Sequence, residues 1–167
     1  MVVSWVMGVG RIVAAWEELQ LQSLTLLFFT SDNGGYRHYA GRHRGDISSN
    51  GPLRGQKGDM YEGGHRVPAI AWWPGMIEPG IVTRETTATF DLFPTLLQVA
   101  GQDDHVAEMN FDGQSIAPLL FKKAAVANRT LFWRMRRSKA VRRGPWKLVV
   151  PGEGTPQVYT LEDDMYA

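Results

Sequence analysis

Thr25-Leu26-Leu27-Phe28-Phe29-Thr30-Ser31-Asp32-Asn33-Gly34-Gly35 is the stretch on which the fold class turns. Leu26 to Phe29 is a continuous apolar run, far short of the roughly 20 residues that a membrane-spanning helix needs. Its length and composition fit a strand buried on both faces of a parallel sheet. Ser31 to Gly35 then breaks the run with turn chemistry. Immediately upstream, Val9, Ile12, Val13, Trp16 and Leu19 recur at three- and four-residue steps, while Arg11, Glu17, Glu18 and Gln20 fall elsewhere. That spacing predicts an amphipathic helix over 9–21. Helix, buried strand and polar turn in succession are the grammar of an α/β domain.

Working outward, Gly34 to Gly64 is glycine-rich and aperiodic, which predicts a long loop, and loops of that length in compact domains are functional or disordered. Val67 to Trp73, closed by Pro74-Gly75, predicts a second buried strand. Thr89 to Ala100 predicts a helix with Phe90, Phe93, Leu96, Leu97 and Ala100 on one face, Pro94 near its start, Asp91 in its first turn and Gly101 past its end. Asp103 to Asn110 reads as a polar connection, and Ile116 to Phe121 as a short apolar segment containing Pro118. From Thr130 the texture changes. Thr130 to Trp133, Ala140 to Arg142, Trp146 to Val150 and Val158 to Leu161 are short β-type runs between Gly and Pro turns, which predicts an antiparallel meander. The expected organisation is a sheet domain over 1–126 and a small antiparallel β subdomain over 127–167.

Bulk properties bound the function. Eighteen basic against 17 acidic residues leave a formal charge of +1, so no global field draws the chain to nucleic acid or an anionic membrane. Arg134 to Arg143 is a local exception that reads either as a solvated strand face or as a contact for an anionic polysaccharide. Cysteine is absent, which excludes disulfides, thiolate metal sites and a cysteine nucleophile within these residues. Met1 to Gly10 is apolar but has neither a basic n-region nor a small-residue cleavage site, and is read as neither signal peptide nor membrane span.

Two segments offer chemistry. Asp32 and Asn33 follow the first strand directly, where ligands collect in open α/β sheets. Their side chains are hard oxygen donors suited to Ca²⁺ or Mg²⁺, and equally they are common turn residues that bond their own backbone. Arg54-Gly55-Gln56-Lys57-Gly58 presents two cations in a glycine-flanked loop, either for an oxyanion or as a solvated basic turn. His38, His43 and His65 show no zinc-type spacing, and His105 lies in a polar connection.

Taken in order, Phe29 to Gly34, Asn50-Gly51-Pro52-Leu53-Arg54-Gly55-Gln56-Lys57-Gly58, Tyr61-Glu62-Gly63-Gly64-His65-Arg66-Val67-Pro68 and Trp73-Pro74-Gly75 closely resemble the sulfatase family. Asp91 to Leu97 through Gly101, Asp112-Gly113 through Leu120, and Val141-Arg142 through Trp146-Lys147-Leu148 are similar to the family's later landmarks. The resemblance covers about Val9 to Asp163. It implies an α/β fold, with 1–126 as the carboxyl-terminal portion of an alkaline-phosphatase-like sheet domain. It implies a sulfuric ester hydrolase that acts on aryl or carbohydrate sulfates and requires Ca²⁺. Asp32 and Asn33 fall on two calcium ligands, and Lys57 on the lysine that contacts the substrate sulfate. Glu62, Arg66 and Pro68 fall on scaffold that orders the Lys57 loop, and His65 receives no catalytic role.

The family's nucleophile is a formylglycine made from a Cys/Ser-x-Pro/Ala-x-Arg motif upstream of the Ser-Asp-Asn-Gly segment. The chain has no cysteine, and no serine is read as opening that motif here. The chain is therefore expected to be a sulfatase fragment, inactive alone, and to associate through exposed sheet edges. The alternatives are a non-catalytic metal and anion module, or a phosphate or phosphonate ester hydrolase of the same superfamily. Complete members are often secreted, periplasmic or lysosomal; no such signal is read here.

Overall fold

The computed structural model describes residues 2–37 and 48–162. His38 and His43 lie outside the described residues, as do Asp163 and Asp164. Helices and strands are both present, as an α/β chain requires, and contacts divide the chain into two compact units. One comprises 1–29 and 70–126. The other comprises 30–69 and 127–167, so the long central loop groups with the carboxyl-terminal strands.

In the first unit, helix α1 runs from Val2 to Glu18 and thus includes the apolar amino end, which sequence spacing leaves outside the helix. None of the described helices is long and apolar enough to cross a membrane. The helix directs a narrow stripe inward: Trp16 is buried, Val9 and Val13 are partly covered, and Ile12 and Leu19 are exposed. The Trp16 ring meets Trp72 edge to face at 4.6 Å, a favoured aromatic geometry. Strands β1 (Leu27–Thr30) and β2 (Ala69–Trp72) pair in a two-stranded sheet. Both were expected to be buried, and neither is. Phe29, Ile70 and Trp72 are exposed and the rest of β1 is half-covered, because among the described residues no further strand flanks the pair.

Helix α3 (Leu92–Val99) follows a single 3₁₀ turn at Thr89–Asp91. Its core face differs from the apolar one. Asp91, Pro94 and Thr95 are buried, while Phe90, Phe93 and Leu96 are exposed, Phe93 packing edge to face on Phe111. Polar satisfaction explains the inversion. Asp91 accepts from the Ala88 and Gln114 backbone N–H groups at 2.7 and 3.0 Å, and the Thr95 hydroxyl donates to the Asp91 carbonyl and accepts from the Ile116 N–H. These buried groups act as a clasp for the 113–116 segment. The segment expected as a polar connection forms α4 (Asp103–Glu108), and the short apolar segment forms α5 (Ala117–Lys122), with Pro118 in its first turn, where a missing N–H costs nothing.

The second unit carries the meander: β3 (Thr130–Met135), β4 (Ser138–Arg143), β5 (Trp146–Val150) and β6 (Gln157–Thr160), antiparallel in sequence order. Arg136 and Gly144 adopt left-handed backbone at the first two hairpins, which matches the twist that tight hairpins demand. Strand alternation turns Leu131, Ala140, Lys147 and Val149 inward. Ala140 and Val149 form a small core with Met60, covered by Tyr61, Trp133 and Tyr159.

Candidate functional site

The turn after β1 is held by groups other than the two carrying the expected chemistry. The Ser31 hydroxyl donates to the Asn33 carbonyl at 2.8 Å, and the Gly34 N–H donates to the Gly64 carbonyl at 3.0 Å. A Cβ on Gly34 would lie 1.8 Å from the Gly63 carbonyl oxygen, and one on Gly64 would lie 2.1 Å from the Asp59 carbonyl oxygen. Backbone crosses backbone here, which only glycine permits. Asp32 is exposed and Asn33 half-buried. Among the described residues neither side chain bonds the backbone of its own turn, in contrast to the local turn chemistry available to these residue types.

Lys57 sits at the tip of a tight turn. The Asp59 N–H closes it on the Gln56 carbonyl at 2.9 Å, and Gly58 at the third position has φ 93°, as a type II turn requires. The Asp59 carboxylate also accepts from the Gln56 N–H. This turn is tied to the one after β1: the Lys57 N–H donates to the Gly35 carbonyl at 3.1 Å, and Gln56 Oε1 accepts from the Arg37 N–H. Asn50 completes the tie. Its side-chain amide accepts from the Gly35 N–H at 2.7 Å and donates to the Gly35 and Gly55 carbonyls at 3.0 and 2.9 Å. The structure therefore brings Lys57, which is exposed, onto the loop adjoining Asp32 and Asn33.

Beneath these loops lies a cluster of charges. Glu62, in the one-turn helix α2 (Glu62–His65), and Lys147 of β5 are both essentially inaccessible, and the Lys147 ammonium donates to Glu62 Oε1 at 2.7 Å. Lys147 also lies 2.9 Å from His65 Nε2, and the His65 ring stacks on Trp133 with centroids 4.6 Å apart. Burial pushes the Glu62 carboxyl up, but the His65 hydrogen bond and the Lys147 charge outweigh it and hold the group at about 2. Burial lowers the Lys147 ammonium from its ordinary range more than Glu62 raises it. Arg54 extends the anchorage, with its guanidinium 3.8 Å from the Tyr61 ring centre and an N–H donating to the Tyr159 hydroxyl at 2.9 Å.

Lys147 was not singled out by sequence reading, and alternation pointed away from it: the period of two puts Lys147 on the face of Val149, but Trp146, Leu148 and Val150 form the all-apolar face, and it is Trp146 that is exposed and Lys147 that is buried. Ser138-Lys139-Ala140-Val141-Arg142 also fits the letters of the Cys/Ser-x-Pro/Ala-x-Arg motif, downstream of the site rather than upstream. It is a β-strand, and the Ser138 hydroxyl accepts from the Gly152 N–H at 3.0 Å.

Asp32 and Asn33 suit a hard cation by donor chemistry, yet they supply two oxygens where calcium takes about six to eight. Among the described residues no group of three His, Cys, Asp or Glu side chains converges. The pair thus fits one edge of a coordination sphere.

A two-unit α/β chain of this geometry superposes on solved structures of alkaline-phosphatase-like fold. The PsFucS1 sulfatase from Pseudoalteromonas sp. matches with a TM-score of 0.77 and 30% identity over 94% of this chain and 34% of its own. Ps i-CgsB, solved in complex with k-i-k-neocarrahexaose, matches with a TM-score of 0.77 and 27% identity over 95% and 35%. Sequence comparison narrows the class. The sulfatase family profile matches residues 7–102, more than half of the chain, and the chain belongs to the sulfatase family. Mouse (Mus musculus) steryl-sulfatase is 44% identical over 118 residues, 68% of this chain and 18% of the relative. Arylsulfatase A of Bos taurus is 39% identical over 162 residues, 93% and 31%. N-acetylgalactosamine-6-sulfatase of Sus scrofa is 36% identical over 140 residues, 84% and 26%. The chain thus spans less than a third of the length of these curated relatives.

Proposed function

We propose that this chain carries the metal-holding and sulfate-contacting segment of a calcium-dependent sulfuric ester hydrolase, with Asp32 and Asn33 as two cation ligands and Lys57 as the sulfate contact. The observation that supports this most directly is the backbone tie from the Lys57 N–H to the Gly35 carbonyl at 3.1 Å, reinforced by Asn50. It fixes the lysine turn to the loop bearing the two oxygen donors. In a complete enzyme, calcium and a formylglycine would supply charge neutralisation and the nucleophile. The contribution of these residues is to hold the cation with a carboxylate and an amide oxygen, and to aim a compact ammonium at the sulfate oxygens. The relatives whose names specify a substrate act on sterol and N-acetylgalactosamine sulfates, and aryl or carbohydrate sulfates are the corresponding class here.

The chain alone is expected to show no turnover of an aryl sulfate, since none of its residues occupies the upstream nucleophile position. Measurable hydrolysis that disappears in Lys57→Ala would contradict this. In a form that includes the nucleophile segment, Lys57→Ala should lower kcat/KM by about 10²–10³, the scale of one lost charge-stabilising donor. An unchanged value would remove Lys57 from the reaction. Calorimetry distinguishes a non-catalytic module: calcium binding to this chain should be weak and should vanish in Asp32→Ala.

A further inference from the structure

Arg66 and Arg142 are left over by the charge arithmetic of the buried cluster. One carboxylate, Glu62, faces three full cations. Lys147 takes Oε1 at 2.7 Å, while Arg66 Nη1 and Arg142 Nη1 stand 3.6 and 3.8 Å from Oε2. Those last two distances exceed hydrogen-bonding range, and Oε2 accepts no hydrogen bond. Both guanidinium groups therefore keep donors to spend. Arg142 is oriented by its Nε–H, which donates to the Gly144 carbonyl at 3.0 Å. The two side chains are 45% and 20% exposed, so solvent reaches them although the carboxylate between them is sealed. Burial lowers the Arg142 guanidinium, Glu62 raises it, and the neighbouring Arg66 charge lowers it again. Two guanidinium groups that each lie within 4 Å of the same carboxylate oxygen share one negative charge, an arrangement that an incoming anion relieves. Their fork geometry suits a tetrahedral or carboxylate oxyanion, with charge-assisted bonds of about 2.7–2.9 Å.

We propose that Arg66 and Arg142 form an oxyanion-binding position, distinct from Lys57, that takes a sulfate or carboxylate group. Nothing in this position depends on Lys57 contacting a sulfate.

Titration of the chain with inorganic sulfate at constant ionic strength tests it. Two sulfates are expected per chain. Arg66→Gln and Arg142→Gln should each remove one, weakening it at least tenfold, and Lys57→Ala should remove the other. Lys139→Gln, which deletes an exposed cation elsewhere on the sheet, should leave both. Arg66→Gln carries the test if Arg142→Gln fails to fold by circular dichroism. A single sulfate lost only in Lys57→Ala overturns the proposal while supporting the function above; a single sulfate lost only in Arg66→Gln does the reverse. Equal weakening by Lys139→Gln, or no sulfate bound at all, also overturns it. Glucose 6-sulfate in place of the inorganic ion separates the two sources of the group: an ester-borne sulfate should bind more tightly, and either probe must lose affinity in Arg66→Gln.

Discussion

The two sheets of this protein invert what their compositions announce. β1 and β2 are almost wholly apolar, and Phe29, Ile70 and Trp72 are exposed. The meander β3 to β6 is laced with arginine and lysine, yet it holds buried Val149 and Leu131 and takes a lysine into its interior. The difference lies in partners. A continuous apolar run states that a strand needs cover on both faces and is silent about what supplies it. An alternating strand fixes which residues share a face, and in the meander the face met by Met60 and Tyr61 of the central loop carries Ala140 and Val149, while Phe132, Trp146 and Val158 stand exposed.

That contrast can be broken at its strongest point. Glu62→Ala leaves Lys147 buried without its carboxylate and should cost about 3–5 kcal/mol, the scale for stranding one partner of a buried pair. Urea unfolding would measure it, and a loss below about 1 kcal/mol would mean that the pair behaves as an exposed one. Acid should reach the same contact more gently. The Glu62 carboxyl is depressed from 4.5 to about 2, so its contribution is complete above about pH 4.5 and is lost as pH falls toward 2. It amounts to about 3 kcal/mol at most. Unfolding midpoints collected across that window should fall in the native chain and stay flatter in Glu62→Gln. The smallest effects sharpen the comparison between sheets. Val149→Thr buries an unmatched hydroxyl and should cost about 1–3 kcal/mol. Ile70→Thr, at a position 60% exposed, should stay within about 0.5 kcal/mol. Equal costs by thermal or urea unfolding would show that β2 is as well covered as β5.

Much of the meander was legible because its punctuation is explicit. Gly144-Pro145 and Pro151-Gly152 bracket β5, which occupies the expected Trp146 to Val150. The membership of 30–69 in the same unit was not legible, since it rests on contacts between residues about 85 positions apart, such as Lys147 with Glu62. Periodicity reports only local order. The core face of α3 was not legible for a related reason: Asp91 and Thr95 are buried because they satisfy backbone groups of a distant segment, and polar residues with distant partners look like surface in a linear text. At the candidate site the residue types Asp32, Asn33 and Lys57 were evident. The crossings that require Gly34, Gly63 and Gly64 emerge only when the loops are stacked.

Asn50 has a consequence of a different kind. Its amide stands in for a peptide unit, accepting from one N–H and donating to two carbonyls across the base of the loop. It is followed by Gly51, the neighbour that most readily lets an asparagine amide hydrolyse in solution. Conversion to aspartate would turn the donor facing two carbonyls into a charged acceptor. Deamidation there would loosen the loop that presents Lys57, and Asn50→Asp reproduces one of its two products, aspartate and isoaspartate.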